Sequence, residues 1–130
     1  MRMILPEVHD GELRKIEIPG DGMLILTFET IDKSITSLIL EDVRDFRCDG
    51  VLAGNIISKI VRIVEPTLDD LARATCRESD PRHCKPPSER ERRLLEGTLR
   101  AVTQGELVFL RMESSYGCTM DALCSGYAIR

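Results

Sequence analysis

Residues 12–41 read ELRKIEIPGDGMLILTFETIDKSITSLILE, and this stretch decides the fold. In its middle segment Leu24, Leu26 and Phe28 share one parity, which places them on one face of a strand. Glycine and proline between such alternating apolar segments are typical of hairpin turns. We therefore predict three antiparallel strands in a meander, with an inner face formed by Leu24, Leu26, Phe28, Leu38 and Leu40.

Further strands follow, and one segment is ambiguous. Val43–Cys48 is predicted as a short fourth strand. Residues 55–64 (NIISKIVRIV) fit both a helical stripe and a strand, and their many β-branched side chains favour the strand. Leu107–Met112 has apolar side chains of both parities, which indicates a central strand, and residues 118–129 supply one more strand or two short ones.

Two stretches carry the sequence signal that begins a helix. Thr67–Asp70 (TLDD) has the capping-box pattern, and we predict a short helix from there to about residue 75. Ser88–Glu91 (SERE) has the better pattern and precedes a longer apolar stripe. Gly105 is well placed as the residue that follows this second helix.

These elements predict an α+β fold. We expect a curved antiparallel sheet of about six strands, formed by the N-terminal meander and a C-terminal hairpin, with one main helix and one short helix. A chain of 130 residues has the size of one domain, and no repeat divides it. Residues 1–130 are therefore predicted to form a single domain.

Composition limits the classes of partner. The net charge is −4 and no basic stripe is present, whereas nucleic acid binding requires clustered Lys and Arg. No segment approaches the roughly 18–20 apolar residues of a membrane span, and the first residues do not resemble a signal peptide. We expect a cytoplasmic protein that binds neither nucleic acid nor membranes.

The five cysteines predict no metal site. An odd number without a secretory signal favours reduced thiols. Cys76, His83 and Cys84 lie together in a proline-rich segment, but their spacing does not match a zinc knuckle. A Cys76–Cys84 disulfide is geometrically open, although a reducing compartment disfavours it.

No catalytic pattern is evident either. His9 and His83 are the two histidines, and neither lies near a nucleophile-elbow motif. A cysteine–histidine pair formed in space remains open. We predict no catalytic residue and no cofactor.

Four residues are candidates for contact with a partner. Tyr116 lies at the tip of a predicted hairpin, where it either meets a partner or folds back on the helix. Asp45 and Arg47 point to the same side of the fourth strand and are predicted to form a surface ion pair, with Asp49 just beyond.

The meander, the segment VRDFRCDGVLAGNII at 43–57 and the late hairpin LVFLRMESSYGCTMDALC at 107–124 together resemble small bacterial families of unassigned role. Some of these are immunity proteins of contact-dependent or polymorphic toxin systems. The resemblance implies a non-enzymatic acidic domain that blocks a protein partner by occupying its surface.

We therefore predict a non-enzymatic protein-binding domain, immunity-like or inhibitor-like, with one protein partner. An exposed strand edge could also pair with a second copy of the chain. The alternative is a small-molecule-binding domain or minor enzyme whose site lies between sheet and helix.

Overall fold

The computed structural model describes residues 2–5, 8–51, 54–76 and 85–130. Within these residues there are nine strands and two helices. The strands are β1 (Arg2–Leu5), β2 (Gly11–Gly20), β3 (Met23–Glu29), β4 (Ile35–Glu41), β5 (Asp45–Asp49), β6 (Ile56–Ile63), β7 (Val108–Tyr116), β8 (Thr119–Cys124) and β9 (Gly126–Ile129). The helices are α1 (Leu68–Thr75) and α2 (Glu89–Thr103).

The meander β2–β3–β4 forms as its alternation predicts. Leu26 faces Ile16 on one side and Leu38 on the other in the two antiparallel ladders. All five residues of the predicted inner face are buried, whereas Met23 and Ile35, of the opposite parity, are exposed. The turn between β2 and β3 requires left-handed backbone at Asp21 and Gly22, with φ of 53° and 71°. The period-2 pattern thus sets which side chains enter the core.

The sheet curls until its two ends meet. Its strand order is β5-β8-β7-β6-β2-β3-β4-β9, and β1 adds to β6. β4 leads into β5 and β8 leads into β9, with only Ser125 between the latter two. β4 pairs with β9, and β5 pairs with β8. Since β5 follows β4 and β9 follows β8, the four strands form one bent ladder that joins the first strand of the order to the last. The strands therefore close into a small barrel, which leaves few unpaired edges.

Closure separates the apolar side chains into an inner and an outer set. On β7, Val108 and Leu110 belong to the inner cluster, whereas Phe109 between them belongs to the outer cluster. The outer cluster also contains Val61 and Ile63 of β6 and Leu123 of β8, and it packs against α1 and α2. The two helices therefore cover the outer face of β6, β7 and β8.

Both predicted helix starts are confirmed. Thr67 and Asp70 bond each other's backbone N–H groups as a complete capping box, and the Ser88 side chain accepts from the N–H of Glu91. Gly105 has a left-handed φ of 82° just after α2. None of the helices in the described part of the chain is long and apolar enough to cross a membrane.

The predicted fold class is confirmed, but the predicted number of about six strands is wrong, since the described sheet has nine. One extra strand is β1, which has no counterpart among the strands predicted above. The C-terminal segment is two short strands, because the chain bends at Ser125 to follow the bend between β4 and β5. Residues Ile56–Ile63 form a strand, as their β-branched side chains favoured.

Replacement of Leu26 by alanine should lower the free energy of unfolding by about 2–5 kcal/mol, because Leu26 is completely buried in the inner cluster. Urea denaturation measures the change. Leu94→Ala is the matched control, since Leu94 is 66% exposed and its loss should cost under about 0.5 kcal/mol. An unchanged unfolding midpoint for Leu26→Ala would contradict its inward position.

Candidate functional site

A buried asparagine ties three strands together at one corner of the barrel. We name the described residues 50–51, 54–56 and 115–118 the Asn55 corner. Asn55 is 6% exposed, and its backbone carbonyl accepts a hydrogen bond of 2.8 Å from the N–H of Leu13. Its side-chain oxygen accepts a second one, of 3.1 Å, from the N–H of Cys118. One residue therefore joins β2 to the β7–β8 turn, with its polar oxygens satisfied.

Gly117 makes this contact possible. Its φ is 92°, and a β-carbon added there would fall 2.9 Å from Asn55 Cα and closer still to the Asn55 side-chain oxygen. A side chain at this position would be strained by the backbone and would also collide with Asn55. The turn and Asn55 thus fix each other's positions.

The Asn55 corner presents exposed apolar side chains. Tyr116 is 57% exposed, and its cross-strand neighbour Ile56 is 39% exposed. A β-carbon at Gly54 would lie 3.9 Å from Tyr116 Cε1, so the ring lies beside this glycine. Val51, 60% exposed, follows Gly50, which approaches the carbonyl of Gly117. The Tyr116 ring is therefore accessible at this corner, whereas its contact with a partner stays a prediction.

Paired charges surround this apolar centre. Glu12, the neighbour of Ile56 on β2, lies 3.3 Å from Arg14, and Glu113 lies 3.4 Å from Lys59. The carboxylates of Glu12 and Glu113 are 37% and 33% exposed. An apolar centre within a polar rim is the usual anatomy of a protein–protein contact surface.

Arg47 is less exposed than a surface ion pair implies, and its contacts extend beyond its own strand. Its side chain is 11% exposed, and its Nε lies 2.7 Å from Asp49 Oδ2. A terminal nitrogen also donates a hydrogen bond of 2.7 Å to the carbonyl of Cys76, at the end of α1. Asp45, its predicted partner, is half-buried on the same strand. Arg47 therefore ties α1 to β5, whereas Asp49, 34% exposed, reaches the surface.

A second half-buried arginine, Arg111, continues this charged row across the sheet. Asp121 is the register partner of Arg47 on one side and of Arg111 on the other. Arg111 Nε lies 2.8 Å from Asp121, and its terminal nitrogen lies 3.2 Å from Asp70 on α1. The guanidinium also lies 5.4 Å from the centre of the Phe109 ring. These contacts fasten α1 to the outer face of the sheet.

The charges in this row stabilise each other. Burial opposes ionisation of Asp70, but hydrogen bonds from Thr67 and Arg111 outweigh it, and its pKa is lowered from the ordinary value of 3.8. Burial likewise disfavours the charged form of Arg111, yet Asp121 and Asp70 more than offset this and raise its pKa. Between helices and sheet the charged side chains of this row are thus engaged with each other, and the apolar side chains of the outer cluster pack beside them. This packing gives no support to a ligand site there.

The free cysteines are poorly suited to nucleophilic chemistry. Burial raises the pKa of Cys48 to about 12, and the neighbouring Cys118 thiol adds to the effect. Burial also raises the pKa of Cys118, and it raises that of Cys124 to about 11. Thiols with such pKa values remain protonated at neutral pH, and the protonated form is the unreactive one.

The prediction of reduced thiols is wrong for Cys76, which is disulfide-bonded, whereas Cys48, Cys118 and Cys124 are free. Cys84 and His83, with which Cys76 was considered as a metal or disulfide set, lie outside the described residues. His9 is 66% exposed, and its ring nitrogen lies 2.7 Å from the carbonyl of Ser58. In the described ranges no three metal-binding side chains come together.

Several residues that matter here escaped the sequence analysis. Asn55 stood at the start of an ambiguous segment, and its contact with Cys118 spans 63 residues of sequence. Arg111 was an ordinary charged residue in a predicted central strand. A charged residue amid apolar neighbours was the available signal, and it could have indicated a buried ion pair.

Gly117→Ala should destabilise the protein more than Gly105→Ala does. The two glycines have similar φ values of 92° and 82°, but no atom lies within 4 Å of the β-carbon position at Gly105. Gly105→Ala therefore measures the backbone strain alone, about 1–2 kcal/mol, and the additional loss in Gly117→Ala measures the collision with Asn55. Equal losses of unfolding free energy in urea denaturation would mean that Asn55 moves away from the new β-carbon without a loss of stability.

Stability should fall in acid partly through Asp70. The pKa of Asp70 is lower in the folded chain, so its contribution is present above its ordinary pKa of 3.8 and is lost as pH falls through the folded pKa. Asp70→Asn should therefore lower the free energy of unfolding at pH 7, by about 1 kcal/mol or more, and the difference from wild type should shrink below pH 3.8.

The matched control is Asp69→Asn, which removes the same charge from the first turn of α1 at an exposed position. Denaturation between pH 2 and 7 gives both profiles. A difference for Asp70→Asn that did not change with pH would show that the carboxylate is not stabilised by Thr67 and Arg111.

No family model matches this chain, and neither does any curated protein or solved structure. The likeness to immunity-type families therefore remains a prediction from the residues quoted above. What the protein does has to be inferred from its own surfaces, of which the Asn55 corner is the best defined.

Proposed function

We propose that this protein is a non-enzymatic binding domain that blocks a protein partner by docking the Asn55 corner against it. The observation that carries the proposal is the exposed Tyr116 ring, with 57% of its surface accessible, held beside the hydrogen bond that joins the buried residues Asn55 and Cys118. Tyr and Trp are the residues that most often dominate the energy of protein–protein contacts.

The rigidity of the frame supports this use. Tyr116 is the last residue of β7, and the next two residues are fixed by Asn55. A side chain presented on an ordered backbone loses little conformational entropy on binding. The ring and its neighbour Ile56 would therefore bind at a low ordering cost.

Charge supports an inhibitor-like role toward a basic partner. The chain carries a net charge of −4. The partly exposed carboxylates around the corner, those of Glu12, Asp49 and Glu113, are each paired with a basic side chain, so the attraction comes from the net charge. Long-range attraction between opposite net charges raises the association rate of such complexes. An acidic domain that covers the surface of a basic enzyme is also what the resemblance to immunity proteins implies.

Tyr116→Ala should abolish or strongly weaken partner capture. Tagged wild-type protein is incubated with lysate of the source cells, and bound proteins are identified by mass spectrometry after size-exclusion chromatography. Loss of the central aromatic ring should weaken binding about tenfold or more, as measured by calorimetry with the purified partner. If the partner is an enzyme, the wild-type protein should inhibit it.

Leu94→Ala is the control, because it removes an equally exposed apolar side chain from α2, away from the corner. Tyr116→Phe separates the ring from its hydroxyl group. Capture of a partner that Tyr116→Ala retains with unchanged affinity would refute the role of the corner. Recovery of wild-type protein alone would refute the binding-domain proposal.

A further inference from the structure

One edge of β2 is unpaired in the part of the chain that the structure describes. β2 pairs with β3 from Glu12 to Gly20, but its pairing with β6 covers only Gly11 and Glu12. Beyond the corner, Arg14–Gly20 therefore has no described strand on its second side. Ile16 and Ile18 on this segment are 40% and 78% exposed. An exposed strand edge with apolar side chains is a site for pairing with another strand.

The free edge has a defined length. At its beginning, the N–H of Leu13 is already used by the carbonyl of Asn55. At its end, Pro19 has no N–H group to donate. The segment available for a new ladder is thus Arg14–Ile18, bounded at both ends by residues that cannot donate.

We propose that this edge pairs with the same edge of a second copy, antiparallel and with the two-fold axis at Ile16. In that register Ile16 faces Ile16 of the second copy, and Lys15 faces Glu17. A two-fold axis at Lys15 would oppose two lysines, and an axis at Glu17 would oppose two glutamates. Opposite charges directly across a ladder stabilise it, and like charges destabilise it. The sequence of the edge is therefore self-complementary in one register.

The charges needed for this pairing are already in place. Lys15 and Glu17 are 63% and 40% exposed, and Lys15 Nζ lies 3.4 Å from Glu17 Oε1 within the chain. In the dimer Lys15 also lies opposite Glu17 of the second copy, and Glu17 lies opposite its Lys15, on the same face of the sheet. The interface is isologous, as in most homodimers, so this edge of both copies is used in one contact. Self-complementarity is what favours a second copy over a foreign strand.

Charge reversal tests the register between chains. Lys15→Glu sets two carboxylates against each other in both cross-chain pairs, because the new side chain faces Glu17 of the second copy. Glu17→Lys likewise sets two ammonium groups against each other in both pairs. Each variant alone should self-associate about tenfold or more weakly than wild type in sedimentation-velocity experiments. A mixture of the two variants in equal amounts should dimerise again, because both cross-chain pairs are then attractive.

Dimerisation of the mixture cannot come from a change within one chain. It therefore shows that each single variant lost the cross-chain pairing and not its fold. Lys33→Glu and Glu106→Lys make the same charge changes at exposed positions outside β2 and should dimerise as wild type does. Tyr116→Ala should also dimerise, which distinguishes this edge from the Asn55 corner. Wild-type protein that stays monomeric up to about 1 mM, or variants that dimerise unchanged, would overturn the proposal.

Discussion

The short ladder between β2 and β6 is the constraint on which the rest of the structure depends. It contains only the pairs Gly11–Ile57 and Glu12–Ile56, and it is extended by hydrogen bonds from Leu13 to Asn55 and from Asp10 to Ser58. Without it the N-terminal meander and the C-terminal strands would be joined through the β4–β9 and β5–β8 ladders alone. The inner cluster would then be open along one side. Closure of the barrel therefore depends on a few backbone hydrogen bonds, one of which Asn55 accepts from Leu13.

Because the sheet is closed, the alternation of side chains on β6, β7 and β8 serves two separate cores. The inner side chains fill the barrel, and the outer ones need a cover, which α1 and α2 provide. Apolar contacts are non-directional, so by themselves they would not fix the position of α1 along this face. The ion pairs of Arg111 with Asp70 and Asp121, together with the bond from Arg47 to Cys76, fix its position. These half-buried ion pairs and the hydrogen bond to Cys76 have preferred directions, which apolar contacts lack.

The features of the structure that depend on local sequence patterns could be predicted from the sequence. Alternation gave the inner face of the meander, capping residues gave both helix starts, and β-branched side chains gave β6. The sequence did not predict the closure of the sheet, because two residue pairs between β2 and β6 leave no periodic signal. Strand parity suggested only a neighbour on β5 for Arg47, and it gave no sign of the contact with Cys76, 29 residues away. Long-range contacts of single residues have no signature in one sequence.

Both proposed binding surfaces follow from the place where β6 begins. Asn55 immediately precedes this strand, and in the described part of the chain β6 gives β2 no partner from Arg14 onward. On the N-terminal side of Asn55, Gly50 and Gly54 pass close to the β7–β8 turn, which displays Tyr116. A longer β6 would cover the edge and displace the corner together. In the described part of the chain, strand pairing of β2 with β6 ends at this point, and the exposed backbone groups of β2 and apolar side chains of the corner are the surfaces that we propose for binding.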